Sequence, residues 1–161
     1  MTTQGNRTPE PGVLRHEIVL ERYRYILQQI HAINENVYRF LALYQAIATA
    51  LVGGALALFV GYRKWGIEAS VAQGGVIGLL SLTSVVAAFT VLLIVVGAFS
   101  WLDYRNEECD IAEEFVGADF RERPRPGNLL RWYETYVVLF IVVSLATMWM
   151  FAAVFVLPAM K

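Results

Sequence analysis

The sequence predicts an all-α integral membrane protein with three transmembrane helices. A long N-terminal cytosolic helix is continuous with the first span, and a shorter cytosolic helix follows the second. Three observations predict this class. Of the 161 residues 57% are hydrophobic and the mean hydropathy is +0.50, above the roughly 45–50% apolar content of soluble domains. Three long stretches, 40–62, 69–102 and 136–160, contain no charged side chain. The first of them is entered by an unbroken heptad seam that starts well outside it.

Residues 1–12 are polar and carry two prolines. They lack the apolar core of a signal peptide and read as a disordered tail. Residues 13–39 form a cytosolic helical stem. Its seam is Val19, Tyr23, Ile26, Ile30, Ile33, Val37, Phe40 and Tyr44, spaced 4, 3, 4, 3, 4, 3, 4, the repeat that keeps one face of a helix against a neighbour. Glu17, Glu21, Arg24, Gln28, Glu35 and Arg39 fall on the opposite side, while Leu20, Leu27 and Tyr38 widen the apolar stripe. A stripe that wide suits more than one neighbouring helix, either within the chain or in an oligomer. Tyrosine at seam positions departs from a regular coiled coil.

The first span covers 40–62, against the roughly 20 residues that cross a bilayer core about 30 Å thick. Tyr62 and Trp65 make an aromatic edge. Ala42, Ala46, Ala50 and Gly54 form a ridge of small residues at intervals of four, of the kind that lets helices approach closely. The second span is expected at 76–102, with Gly74 and Gly75 marking its start. Ser81, Thr83, Ser84 and Thr90 give it a mildly polar side, and such hydroxyls usually bond their own backbone carbonyls or a neighbouring helix.

Residues 103–135 are the second aqueous segment. Tyr104, Ile111, Ala112 and Phe115 share one side of its helix, and Asp103, Glu107, Asp110 and Glu114 form an acidic cytosolic face. Gly117 is a C-terminal stop. Arg121, Arg123 and Arg125, interleaved with Pro124 and Pro126, read as an extended linker. Asn128 is placed to cap a helix from Leu129. The third span is 136–160.

Charge asymmetry sets the orientation. Ten of the 13 Lys and Arg residues lie in the N-terminal segment and in 103–135, and only Arg63, Lys64 and Lys161 lie on the other side. By the positive-inside rule, the N-terminus is cytoplasmic and the C-terminus exterior, in a bacterial inner membrane or its equivalent. Cys109, the one cysteine, then faces a reducing compartment.

No span contains Asp, Glu, Lys, Arg or His, the residues that ion pathways, proton relays and voltage sensors use. His16 and His31 both lie on the stem, which excludes a bis-histidine haem inside the membrane. The acidic face lacks the histidine or fixed loop geometry of dedicated metal sites and reads as a solvated face, complementary to Arg22 and Arg24 of the stem. Arg121, Arg123 and Arg125 could touch anionic headgroups. No nucleophile elbow, P-loop, dinucleotide glycine pattern or zinc-protease helix is present. No enzyme, cofactor, metal, nucleic-acid partner or small-molecule substrate is expected.

The expected function is that of a homo-oligomeric membrane relay or effector, with pore formation as one form of it, acting through helix–helix interactions and controlled through its cytosolic helices. The alternative is a passive anchor or accessory subunit that holds a cytosolic protein at the bilayer. They differ in where the hydroxyls of the second span point: into a water-filled oligomer centre for the first, against the chain's own helices for the second.

Overall fold

A computed structural model of the chain describes residues 11–115, 117, 122–124 and 132–160. Among them every regular element is helical. Helix α1 runs Pro11–Gly61 and helix α2 runs Ala69–Phe115. Helix α3 runs Tyr133–Phe151, followed by a π-helical turn Ala152–Val156 and a last turn Leu157–Ala159. All three helices are long and apolar enough to cross a membrane.

Helix α2 begins at Ala69, ahead of the span expected at 76–102, and Gly74 and Gly75 lie inside it. A glycine pair need not break a helix when it serves packing. A Cβ on Gly75 would lie 2.5 Å from Leu58 Cδ2, so the bare backbone lets α1 and α2 meet there. Helix α3 begins at Tyr133, because Trp132 is extended (φ −89°, ψ 130°) and no side chain caps the helix. Asn128 and Leu129 lie outside the described residues, as do residues 1–10 of the expected tail.

The chain reverses between α1 and α2 in a short turn. Gly66 adopts φ +67°, which L side chains rarely do, and Ile67 N–H donates to the Tyr62 carbonyl at 2.9 Å. Trp65 lays its indole over Gly61, where an added Cβ would be 2.6 Å from the ring. At the other end of α2, Gly117 (φ +136°) donates to the Ala112 carbonyl at 3.1 Å. That closes the helix on one of its orphan carbonyls.

The contacts divide the chain into two compact units, and α1 and α2 each contribute a segment to both. The polar unit consists of the described residues within Met1–Asn34 and Phe99–Arg125; the apolar unit takes those within Glu35–Ala98 and Pro126–Lys161. The core of the polar unit holds Ile26, Cys109 and Ala112. The apolar unit has two clusters: Ala55, Tyr62, Ala72, Val76, Leu80, Ala152, Val156 and Met160 in one, and Val37, Tyr44, Ala48, Ala87, Ile94 and Ile141 in the other.

The apolar unit is built with its bulk outward. Leu82, Val85, Phe89, Leu92 and Val96 on α2 are exposed, as are Leu139, Phe140, Val142, Val143, Val154 and Phe155 on the third helix. Inside, the small residues Ala48, Ala55, Ala72, Thr83, Ala87 and Thr90 alternate with a few larger ones such as Val76, Leu80, Ile94 and Ile141. Water would penalise that arrangement and hydrocarbon would not, because lipid is as apolar as leucine and close packing of small residues holds helices together there.

Candidate functional site

Sequence and structure together direct attention to the polar unit, where most of the charge meets the apolar seam. Seam residues Val19, Tyr23, Ile30 and Ile33 are half-buried and Ile26 is fully buried. The rest of the seam falls in the apolar unit, with Val37 and Tyr44 buried and Phe40 half-buried. Between them stand exposed positions such as Glu21, Gln28 and Glu35. A 4–3 repeat selects one side of a helix, and that side is the inner one.

Charges flank the contact between α1 and α2 in this unit. Arg22 pairs with Glu107 at 2.7 Å and Arg15 with Glu114 at 2.9 Å. The Glu107 carboxylate holds the Arg22 guanidinium above its ordinary pKa, so Arg22 stays charged throughout the physiological range. Arg24 does not join α2; it lies 3.8 Å from Glu21 on its own helix. Tyr25 and Tyr104 meet edge to face, ring centroids 6.5 Å apart, and Arg22 lies 5.5 Å from the Tyr25 ring centre. Exposed ion pairs of this kind contribute little to stability but fix which registers are free of like-charge contacts.

The acidic face is thus largely spent within the chain. Asp110 pairs with Arg123 at 2.8 Å, and Glu113 takes the same guanidinium at 2.9 Å. Those two carboxylates push Arg123 above its usual pKa. Asp103 is exposed. Among the described residues no three of His, Cys, Asp and Glu come close enough to share a metal ion. Arg123, in the segment expected as an extended linker, reaches these α2 carboxylates from a non-helical stretch, while Arg121 and Arg125 lie outside the described residues. His16 and His31 are exposed on α1.

The centre of the unit holds a group that sequence reading passed over. Glu108 is 0% exposed; it takes a short charge-assisted bond from Arg105 one turn earlier and a 3.4 Å contact from the Tyr23 hydroxyl on α1. Arg105 in turn lies 5.9 Å from the Trp101 ring centre. A buried carboxylate is tolerable only when paired and hydrogen-bonded, and here the second helix supplies one of the donors. The legible signal was spacing. Trp101, Arg105, Glu108 and Ala112 continue the 4–3 rhythm of the inner side of α2, so a charge stood where an apolar residue was due.

In the apolar unit the small-residue ridge faces outward. Ala42, Ala46, Ala50 and Gly54 are all exposed, and α1 packs through Tyr44, Ala48, Ala55 and Tyr62 instead. Of the α2 hydroxyls, Thr83 and Thr90 are buried and Ser84 is half-buried, whereas Ser81 is exposed. Thr83 is 0% and Thr90 6% exposed, and each donates at 2.9 Å to the carbonyl four residues back, Leu79 and Val86. Ser84 bonds the Leu80 carbonyl and accepts the Trp149 indole N–H at 3.0 Å.

Gln73 is a second residue that sequence reading missed. Its side-chain amide donates to the carbonyls of Leu157 at 3.1 Å and Met160 at 2.6 Å, closing the end of the third helix. The need comes from the helix end, where the last carbonyls have no following N–H to accept from. Pro158 brings a misfit of its own, since it has no N–H and its ring crowds the Val154 carbonyl; the backbone there runs as a π-helical turn, Ala152–Val156.

No family model, curated protein or solved structure matches the chain. Its function is therefore argued from this geometry.

Proposed function

We propose that the chain is an integral membrane protein acting as an anchor or accessory subunit, whose polar unit holds a cytosolic protein at the bilayer. Three spans, 40–62, 76–102 and 136–160, fix it in a bacterial inner membrane or equivalent, with the N-terminus cytoplasmic and the C-terminus exterior. The excess of ten basic residues over three supports that orientation. The observation that carries the anchor reading is the placement of Thr83 and Thr90. Their hydroxyls are closed against their own helix and buried inside the unit, so the second span offers them to no aqueous path. The docking element would be the α1–α2 pair of the polar unit, which exposes Ile18, Leu20, Leu27 and Phe115 beside its ion pairs.

A second reading has one observation in its favour. The ridge Ala42, Ala46, Ala50 and Gly54 is exposed on α1, and such ridges mediate helix association in membranes. A homo-oligomeric relay driven by the cytosolic helices, pore-forming or not, would use it. The mass in mild detergent, by light scattering corrected for bound detergent, separates the two. A monomer supports the anchor, and capture by the polar unit of a partner protein would complete it. A defined oligomer that dissociates on Ala46→Leu supports the relay and refutes the anchor as the whole account.

A further inference from the structure

We propose that the apolar unit carries a phospholipid site: a short segment of one acyl chain lies in a groove between the three helices, and the anionic headgroup rests on Arg63 and Lys64. The proposal depends on the membrane-spanning reading above. The groove is an apolar cavity of about 110 Å³ whose walls include Ala55 and Leu56 of α1, Leu80 of α2, and Phe151, Ala152 and Val156 of the third helix. Two alanines leave the space, and the π-helical turn shapes the third wall, since Ala152 and Val156 belong to it and Phe151 precedes it. Engineered apolar cavities of roughly 150 Å³ stay dry and bind benzene or xenon. A slightly smaller groove of the same chemistry accepts a hydrocarbon segment of about that size.

Position identifies which hydrocarbon. Leu56 and Phe151 form the rim and are 45% and 48% exposed, so the groove opens sideways onto a surface of Leu, Val and Phe side chains. In a bilayer that surface is bathed in acyl chains. Along α1, Leu56 lies seven residues before Arg63, about 10 Å at 1.5 Å per residue. Half of a hydrocarbon core is about 15 Å, so a chain seated there belongs to a lipid whose headgroup reaches the turn at 62–68. That turn is basic by one charge, Arg63 and Lys64 against Glu68. Arg63 is held over the Tyr62 ring, its Nε donating to the Tyr62 hydroxyl at 2.9 Å, and its guanidinium remains exposed at the surface beside Lys64 and Trp65. Charge at one end and a dry slot about 10 Å away match an anionic phospholipid.

The test uses the full chain reconstituted into vesicles of equimolar phosphatidylglycerol and phosphatidylcholine, re-extracted in mild detergent and weighed by native mass spectrometry. The wild type should retain one phospholipid per chain, enriched about fivefold in phosphatidylglycerol. Ala152→Phe fills the groove and should lower occupancy by both lipids about tenfold. The pair Arg63→Gln and Lys64→Gln should keep the lipid and lose the preference. Phe151→Ala removes part of the rim without adding bulk and should also lower occupancy, which covers the case in which Ala152→Phe fails to fold. Unchanged occupancy in a folded Ala152→Phe or in Phe151→Ala overturns the site. Carbonate extraction separates the two levels: release of the chain from membranes refutes the spanning reading, whereas a carbonate-resistant chain without retained lipid refutes only the site.

Discussion

Ile26 provides the sharpest test of the polar unit. It is 0% exposed on the inner side of α1, whereas Ile18, on the same helix, is 60% exposed. Truncation to alanine removes about three methylene equivalents, worth about 2.4 kcal/mol at ~0.8 kcal/mol each. A cavity adds to the loss at Ile26 and helix propensity returns about 0.4 kcal/mol, so Ile26→Ala should cost about 3 kcal/mol. At Ile18 most of the side chain already lies outside, no cavity forms, and Ile18→Ala should cost about 0.5 kcal/mol. The chain carries its own reporter, because Cys109, the single cysteine, sits 3% exposed in the same unit. Under native conditions its labelling by a thiol reagent requires local opening. Ile26→Ala should speed labelling about 100-fold and Ile18→Ala about twofold. Equal acceleration by the two variants, or none by Ile26→Ala, would refute the assignment of the seam to the inner side.

Four further outcomes follow from the same geometry. Glu108→Ala leaves Arg105 without its buried partner and should destabilise the polar unit by about 3–5 kcal/mol, read by the same Cys109 labelling; Glu108→Gln, which keeps a hydrogen-bonding group, should cost less. Gln73→Glu replaces a donor facing two carbonyls by an acceptor and should lower the thermal midpoint in detergent more than Gln73→Leu does, the latter costing about 1–3 kcal/mol for two lost bonds. Thr90→Val preserves shape and deletes only a bond to its own helix, so its stability, read from the thermal midpoint, should stay within about 0.5 kcal/mol of wild type; a large loss would mean the hydroxyl serves another group. The Tyr44 hydroxyl is buried without a partner among the described residues, so Tyr44→Phe should raise stability by about 1 kcal/mol, and a fall in the midpoint would count against an unmet hydroxyl.

The helices were legible in the sequence because long charge-free runs and a 4–3 repeat are local signals. The inner side of α1 was legible for the same reason: polar residues such as Glu21, Gln28 and Glu35 mark the outer side, and Ile26 and Val37 stand out against them. The inner side of α2 was hidden. Between Ala69 and Leu102 both sides are apolar, and the contrast that separates Thr83 and Ala87 from Leu82 and Phe89 is one of size. The glycine pair reads in sequence as the entry to a span, and only the approach of Leu58 to Gly75 reveals its use in packing. Glu108 and Gln73 escaped notice because their value lies in partners distant along the chain, the Tyr23 hydroxyl and the carbonyls of Leu157 and Met160. The ridge on α1 was visible as a pattern, but its outward direction was not, since a small residue looks the same whichever way it faces.

The outward placement of bulk in the apolar unit bears on how this protein can change over generations. If the proposed spans hold, the surroundings at Leu82, Phe89 or Val143 ask only for hydrocarbon, so Leu, Ile, Val, Phe and Met are interchangeable there. At Ala72, Thr83, Ala87 and Thr90 they ask for a volume, and one added methylene has nowhere to go. Descendants of this chain would diverge quickly over most of the spans and be held at a sparse comb of small positions, with Gly75, Gln73 and Glu108 as further fixed teeth. Kinship in such a lineage is carried by spacing and size more than by residue identity.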